Sequence, residues 1–279
     1  MSMPEEAPAA PGRPLPASSC EVVVDRWRDG ESVRISDHVA EEVPVALTYN
    51  GVPHVVMLAT PADLEDLAVG FTLSESIVGH RKEIQSVEAS QRDDGALEVR
   101  IGIAAARFSE LLRRQRNLTG RTGCGLCGAQ TVEEAIRHPA PVSGGVTVTM
   151  KSLHDALLDL RSRQEINLRT GSVHAAAWVS PQSGIQWVRE DVGRHNALDK
   201  VIGAVVRMGG DFAAGYFVVT SRASYEMVQK AVTVGGAFLA AVSAPTAFAV
   251  RLAEATGLTL VGFARERQHV VYAHPSRLS

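Results

Sequence analysis

The spacing of hydrophobic and polar residues changes along the chain, and the change indicates two structural parts. In the N-terminal part, apolar β-branched runs predict strands, and Asn50-Gly51 between two of these runs can adopt the positive φ angles of a tight hairpin turn. Thr60-Pro61 carries the features of a helix start, with Thr60 as the cap. The predicted elements are strands at 43–49, 52–60, 84–89 and 96–103 and one helix from Thr60-Pro61 to near Gly79. Together they indicate a small α+β domain.

The C-terminal part has a different pattern, in which short apolar strands alternate with helices from Ser152 onward. The predicted strands are 173–179, 185–188, 216–220, 238–242 and 258–263, and the predicted helices are 153–160, 196–206, 222–234 and 246–256. Such alternation is typical of βαβ units, which form a mostly parallel sheet covered on both faces. Because ligands of such sheets collect beyond the carboxyl ends of the strands, we expect a site near Ser221, Ser243 and 263–265.

The chain is therefore predicted to be an α/β protein with four segments. These are a disordered tail at 1–19, a smaller α+β domain at 20–115, a cysteine-containing connection at 116–140 and an α/β domain at 141–279. The tail is rich in Pro and Ala and lacks the basic and apolar regions of a signal peptide. The uncharged stretch 231–250 is long enough for a membrane span, but Gly235-Gly236 and Pro245 interrupt it as helix ends do. We predict no membrane association.

Composition excludes several classes of protein. With 28 Lys and Arg against 31 Asp and Glu, the formal net charge of -3 provides no positive field for binding nucleic acid or an anionic membrane. A hydrophobic fraction of 45% with 21% charged residues is typical of a globular chain with a buried core. Three cysteines are too few, and odd in number, for a disulfide scaffold, so we expect a reducing, cytoplasmic location.

The clearest chemical signal is the segment GRTGCGLCG at 120–128, which contains Cys124 and Cys127. A lone cysteine is most often a small buried apolar residue, but a glycine-rich loop offers little apolar cover. Five arginines precede the cysteines: Arg107, Arg113, Arg114, Arg116 and Arg121. An electropositive setting lowers the pKa of a thiol and favours the nucleophilic thiolate, although some of these arginines could simply form a solvated helix face. We predict that Cys124 and Cys127 are reactive thiols.

Three alternatives for this segment are less favoured. The pattern G-x-G-x-x-G at 123–128 fits a dinucleotide fingerprint, but the polar helical segment before it is not the strand that this fingerprint requires. A structural zinc site needs four ligands, and Cys20 and His138 are the remaining candidates, so no metal is predicted. A thioredoxin-like pair would begin a helix directly after a strand, which is not the pattern here.

Other polar clusters fall at predicted strand ends. In EDVGRHN at 190–196, an isolated Asp191 or His195 is more often a cap or a salt-bridge partner than a catalyst. The segment SRAS at 221–224 places hydroxyl and N–H groups at a helix start, which favours phosphate, although Ser221 could be a simple N-cap. The segments 170–174 and 263–268 also follow or precede strands, so we expect them at the same edge of the sheet.

Several strings of this sequence resemble those of FdhD, the formate dehydrogenase accessory sulfurtransferase family. They are GRTGCGLCG (120–128), SVHAAAW (172–178), EDVGRHNALDK (190–200), SRASYEMVQKA (221–231), AVSAPTAFAV (241–250) and LTLVGFAR (258–265). The resemblance extends from about Glu41 to the C-terminus and leaves 1–19 outside. It implies a cytidine-deaminase-like α/β/α fold for the C-terminal domain and a homodimer. The deaminase zinc signature is missing, because Ser221 to Ser224 occupy the place of its cysteine pair.

The same resemblance implies a sulfurtransferase. Such a sulfur carrier accepts persulfide sulfur from a cysteine desulfurase and passes it to a bound substrate, the molybdenum bis(molybdopterin guanine dinucleotide) cofactor, before the cofactor enters the formate dehydrogenase apo-enzyme. Cys124 matches the persulfide-carrying cysteine, and Cys127 either resolves the persulfide or shields it. The cofactor segment matches Phe263, Ala264, Arg265, Glu266, Arg267 and Gln268, without the Pro-Gly of some members. Ser221 and Arg222 are also predicted to contact the cofactor, because free N–H groups at a helix start favour phosphate.

Two further functions stay open. The chain could be a non-catalytic chaperone that binds the molybdenum cofactor, because a carrier and a chaperone need the same crevice. A small zinc-ordered regulatory module is the least favoured because of the ligand count. A carrier additionally needs an accessible, partly ionised thiol on a loop that can reach both donor and acceptor, and the glycines around Cys124 are suited to that reach.

Overall fold

The computed structural model describes residues 15–92, 94–118 and 139–279, with the backbone alone at 115–118, and these residues form two sheets and a separate hairpin. The strands are β1 (Ser19–Arg28), β2 (Glu31–Ala40), β3 (Val43–Tyr49), β4 (Val52–Ala59), β5 (Ile84–Gln91), β6 (Leu97–Ile103), β7 (His174–Ser180), β8 (Gly184–Asp191), β9 (Tyr216–Val219), β10 (Phe238–Ala241), β11 (Thr259–Arg265) and β12 (Gln268–Ala273). The helices are α1 (Leu64–Ser74), α2 (Ala105–Leu118), α3 (Met150–Ser162), α4 (Glu165–Thr170), α5 (Arg194–Arg207), α6 (Tyr225–Thr233) and α7 (Ala247–Thr256), and 3₁₀ turns occupy Arg81–Glu83 and Pro275–Arg277. Within these described ranges, no helix is long and apolar enough to cross a membrane.

The hairpin of β1 and β2 was not predicted from the sequence. Its strands pair antiparallel along their whole length, and Asp29-Gly30 forms the turn with φ angles of 53° and 87°. Ser19, which the sequence analysis assigns to the tail, is the first residue of β1. Trp27 and Val23 are 72% and 63% exposed, so this hairpin contributes little to the core of the molecule.

The N-terminal four-stranded sheet has the order β4-β3-β6-β5, with β3 parallel to β6 and the other neighbours antiparallel. The turn predicted at Asn50-Gly51 is confirmed, with φ angles of 48° and 81°. Side chains from α1 and α2 pack on one face of the sheet, where Leu47, Leu67 and Leu111 belong to a single buried cluster. This cluster is the core of the predicted α+β part.

Helix α1 begins and ends at other residues than the pattern predicts. Its N-cap is Asp63 instead of Thr60, because the hydroxyl of Thr60, which would be the capping atom, accepts the backbone N–H of Val192 at 3.1 Å. The helix ends at Ser74 instead of near Gly79, and two residues later a φ of 52° turns the chain. A contact distant in the sequence therefore overrides the local capping signal at the start of α1.

The C-terminal six-stranded sheet has the order β12-β11-β10-β9-β7-β8, and the predicted α/β class is confirmed. Its centre, β9 to β11, is parallel, because α6 and α7 connect these strands as crossovers. The flanking strands are antiparallel, because β7–β8 and β11–β12 are hairpins. Parallel pairing is thus confined to two of the five strand pairs, so the prediction of a mostly parallel sheet is wrong. Helices α5, α6 and α7 share a buried cluster with one face of the sheet, and α3 shares one with the other face.

The two sheets are joined by a close crossing of α1 and α5. A Cβ atom added at Gly70 would lie 1.7 Å from the carbonyl oxygen of Asp199, and one at Gly203 would lie 1.9 Å from that of Asp66. The backbones are therefore in direct contact. Asp66 also pairs with Arg207 across this junction at 2.6 Å. Helix α1 thus lies between the four-stranded sheet and the helices that cover the six-stranded sheet.

Candidate functional site

A cavity of about 240 Å³ opens at the edge of the six-stranded sheet where the parallel strands end. Its apolar surface comes from Leu157, Leu158, Leu160, Val242 and Ala264, and its polar groups come from Arg161, Gln164, Asn167, Thr220, Arg265 and Glu266. The cavity is therefore bounded by α3 and α4 on one side and by the ends of β9, β10 and β11 on the other. This is the edge at which ligands of parallel sheets collect.

The polar groups of the cavity differ in how firmly they are held. Thr220 is fixed, because its hydroxyl accepts the N–H of Ala175 at 2.9 Å. Gln164 is buried, and its amide nitrogen donates to the carbonyl of Leu160 at 3.2 Å. Arg161 and Arg265 are exposed, and neither is ion-paired with a carboxylate of the described ranges. The cavity therefore combines an apolar interior with two guanidinium groups that can receive an anion.

Three residues of the predicted cofactor segment line this cavity, namely Ala264, Arg265 and Glu266. The other three, Phe263, Arg267 and Gln268, do not line it. Phe263 has a φ of 49° and is 39% exposed, and its N–H donates to the carbonyl of Ser243 at 3.1 Å. Arg267 lies in the turn between β11 and β12, where Arg265 pairs with Gln268.

Ser221 and Arg222 do not line the cavity either. Ser221 is buried and its hydroxyl donates to the carbonyl of Arg222 at 3.2 Å, whereas Arg222 is exposed. The predicted helix start at Arg222 is wrong, because α6 begins at Tyr225 with Ser224 as its N-cap. The segment before it is held extended by a parallel bridge between Ala223 and Pro245. The backbone N–H groups at Arg222, which were predicted to bind phosphate, are therefore not at the N-terminus of a helix.

The segment EDVGRHN at 190–196 divides into a capping carboxylate and a structural ion pair. Glu190 accepts the backbone N–H groups of Ile166 and Asn167 at 2.9 and 2.8 Å. Burial raises the pKa of Glu190, and these two hydrogen bonds oppose that rise. The carboxylate of Asp191 lies 2.7 Å from the ammonium of Lys200, and both side chains are fully buried. Asp191 is therefore a salt-bridge partner and not a catalyst, which is the more frequent role of such a residue.

His195, in the same segment, contacts an acid from α6. Its Nε2 atom lies 2.8 Å from the carboxylate of Glu226, and this contact lowers the pKa of Glu226. Nearby, burial lowers the pKa of His174, and the positive charge of Arg194 lowers it further. These side chains form a half-buried polar group on the α5 and α6 side of the sheet, outside the cavity.

Cys124 and Cys127 lie outside the described residues, as do Arg121, His138 and the side chain of Arg116. Two of the remaining arginines are engaged in ion pairs: Arg107 with Glu83 at 2.8 Å and Arg114 with Glu110 at 3.0 Å. These pairs fit the interpretation of a solvated helix face. In the part of the chain that the structure describes, no group of three or more His, Cys, Asp or Glu could hold a metal ion.

The side of the cavity formed by α3 and α4 was not predicted from the sequence. Arg161, Gln164 and Asn167 follow an amphipathic helix, and nothing in their spacing distinguishes them from ordinary surface residues. Their role depends on how α3 and α4 pack against the end of β11. No local sequence signal could have found them.

Comparison with known proteins finds a matching family model and relatives that are similar over nearly the whole chain. The family model described as FdhD/NarQ matches residues 40–279. A protein of Cupriavidus necator named sulfur carrier protein FdhD is 52% identical over 278 residues, which cover 100% of this chain and 96% of that protein. A protein of the same name from Xanthomonas euvesicatoria pv. vesicatoria is 51% identical over 255 residues, which cover 91% of this chain and 90% of that protein.

A solved structure has a similar fold. It is a chain from Desulfotalea psychrophila described as a formate dehydrogenase accessory protein. It matches with a TM-score of 0.74, covering 95% of this chain and 100% of that chain. At 21% sequence identity, this likeness supports the fold alone.

Proposed function

Since this chain belongs to the FdhD/NarQ family, we propose that it is a sulfur carrier of the formate dehydrogenase system that transfers sulfur through a persulfide on Cys124. The observation that carries the proposal is the 52% identity, over the whole chain, to a protein named as a sulfur carrier. The proposed sulfur donor is a cysteine desulfurase, and the acceptor is the molybdenum bis(molybdopterin guanine dinucleotide) cofactor before it enters the formate dehydrogenase apo-enzyme. We further propose that the carrier acts in the cytoplasm as a homodimer.

The loading step is a displacement at sulfur. The thiolate of Cys124 attacks the outer sulfur of the desulfurase persulfide, the sulfur–sulfur bond to the desulfurase cysteine breaks, and that cysteine leaves as a thiolate. The transferred sulfur is then bonded to Cys124. If Cys127 resolves the persulfide, its thiolate attacks the inner sulfur, forms a disulfide with Cys124 and releases the outer sulfur as hydrosulfide. If Cys127 only shields the persulfide, no disulfide forms.

The cavity is the proposed site for one guanine end of the cofactor. Its volume of about 240 Å³ lies below the 300–1,000 Å³ typical of sites for whole ligands, so it suits one ring system of a larger molecule. Leucine side chains can cover the faces of the base, and the amides of Gln164 and Asn167 and the carboxylate of Glu266 can pair with its edge. Arg161 and Arg265 are suited to the phosphates.

Sulfur loading is tested by mass. The purified protein is incubated with a cysteine desulfurase and cysteine, and intact and peptide masses are then measured without reductant. We expect the mass of one additional sulfur atom on the peptide that contains Cys124, since a reactive thiolate accepts sulfane sulfur. The Cys124→Ala variant, which keeps Cys20 and Cys127, is expected to gain none.

Two outcomes would contradict this assignment. Sulfur found on Cys20 instead of Cys124 would show that the exposed cysteine of β1 reacts by accident. Activation of formate dehydrogenase by the Cys124→Ala variant at the wild-type level would leave a cofactor-binding chaperone as the function.

Nucleotide binding tests the cavity. We expect GDP to bind the wild-type protein, and the replacement of Arg265 by alanine to weaken binding by about 1.5–3 kcal/mol, because a charge-assisted hydrogen bond to phosphate is lost. Binding should also weaken as salt rises. Isothermal titration calorimetry measures both effects. The control is Arg92→Ala, which removes an exposed arginine that pairs with Asp94 in the connection between β5 and β6, away from the cavity; an equal loss in both variants would contradict the assignment.

A further inference from the structure

Glu190 connects the six-stranded sheet to the short helix α4. It lies near the end of β8 and is 7% exposed. Its two carboxylate oxygens accept the N–H groups of Ile166 and Asn167, at the second and third positions of α4. These are two of the N–H groups that a helix leaves unpaired at its start. A carboxylate from a neighbouring strand thus performs the function of an N-cap.

Helix α4 depends on this contact. It has six residues, and so short a helix gains little from its own hydrogen bonds after the cost of the first turn. Its own N-cap residue, Gln164, makes no side-chain capping bond. Its other end is closed by Gly171, whose φ of 65° ends the helix. Glu190 therefore supplies the side-chain cap of the first turn that Gln164 does not supply.

Two residues at the start of α4 line the cavity. Gln164 and Asn167 are the amide side chains that line it, and the N–H of Asn167 is itself bonded to Glu190. Burial raises the pKa of Glu190, and burying a carboxylate costs free energy. A residue that only filled space at this position would not need a carboxylate. The next residue, Asp191, points to the opposite face of the sheet and binds Thr60 and Lys200, so the two acids act on different parts of the molecule.

We propose that Glu190 is a positioning residue that sets the base selectivity of the cavity by fixing the first turn of α4, which carries the amide of Asn167. The inference rests on the proposed function, because it assumes that a guanine base occupies the cavity. Guanine presents an acceptor, O6, where adenine presents an amino donor. An amide held in one orientation distinguishes these two groups, whereas an amide on a loosened helix can turn to satisfy either.

The test compares GDP with ADP by isothermal titration calorimetry of the full chain. Glu190→Gln keeps the size of the side chain but replaces one of the two accepting oxygens with an NH2 donor, so the N–H group that faces it loses its acceptor. We expect this variant to bind GDP about tenfold more weakly while its affinity for ADP is unchanged, so that the GDP/ADP affinity ratio falls about tenfold. The control is Glu165→Gln, which removes an exposed carboxylate from the same turn and leaves the cap intact; its ratio should match that of the wild type.

A second variant covers the case in which Glu190→Gln does not fold. Asn167→Ala keeps the backbone N–H that Glu190 binds and removes the amide, and it should lower the same ratio. An unchanged ratio in both variants, or an equal weakening of GDP and ADP, would overturn the positioning role while leaving GDP binding by the wild type in place. Absence of GDP binding by the wild type would instead refute the proposed cavity, and this inference with it.

Discussion

Replacement of Asp191 by alanine is expected to lower the free energy of unfolding by about 3–5 kcal/mol, because it leaves a buried ammonium without its counter-charge. Lys200 and Asp191 are both fully buried, with the ammonium 2.7 Å from the carboxylate. The remaining partners of Lys200 are the backbone carbonyls of Thr60 and Glu190 at 2.9 and 3.3 Å, and neither carries a charge. Urea denaturation followed by circular dichroism measures the change.

The pH dependence of the same variant provides an independent check. Burial lowers the pKa of Lys200 from 10.5, and the carboxylate of Asp191 opposes this effect, so the variant should have a still lower pKa at Lys200. Between that pKa and 10.5 the unfolded chain binds more protons than the folded one, so the stability of the variant should rise with pH across this window.

The matched control is Asp155→Ala. This residue pairs with Lys151 at 2.6 Å, but both side chains are largely exposed, so the loss should stay within about 1 kcal/mol. A comparably small loss for Asp191→Ala would mean that water reaches Lys200, and it would refute the description of this pair as a buried junction.

Replacement of Gly203 by alanine is expected to destabilise the protein by about 3 kcal/mol, near the upper range for added volume in a packed interior. The new Cβ would lie 1.9 Å from the carbonyl oxygen of Asp66, so α1 and α5 must separate. Alanine in a helix interior is intrinsically favoured over glycine by about 0.8–1 kcal/mol. A loss of stability would therefore show that the clash between α1 and α5 dominates, and a gain would show that helix propensity dominates.

Gly79→Ala serves as the control for this substitution. A Cβ at Gly79 would meet only the ends of the Arg107 and Glu83 side chains, at 3.4 and 3.5 Å, and these can move. Its effect on the urea midpoint should be small. An increase in stability for Gly203→Ala would contradict direct contact between the two helix backbones.

Elements that depend on local turn chemistry could be predicted from the sequence. Asn50-Gly51 predicted the β3–β4 turn because both residues adopt positive φ. The same rule applies to Asp29-Gly30, where it would have predicted the missed hairpin. The charged residues on both sides of Asp29-Gly30 concealed the apolar alternation, since the two strands are mostly exposed.

Features set by distant contacts could not be predicted. Thr60 has an ideal capping residue type, yet its hydroxyl accepts the N–H of Val192, 132 residues away. Likewise, the charged residues at 190–196 could be recognised in the sequence, but the residues that they bind could not. Adjacent strand residues such as Glu190 and Asp191 point to opposite faces of the sheet and so contact different elements. The strand-end rule located Arg265 beside the cavity, whereas Asn167 lies there only through the packing of α4.

The position of α1 between the two sheets also determines the order in which the molecule can be completed during synthesis. The ammonium of Lys230 binds the hydroxyl of Ser74, 156 residues earlier in the chain. At about 5–20 residues per second, a ribosome needs roughly 8–30 s to make that intervening length. For most of this interval the residues of the four-stranded sheet have been made, whereas α5, which covers the face of α1 that contains Gly70, has not. The emerging chain must therefore wait with that face open until the C-terminal half leaves the ribosome.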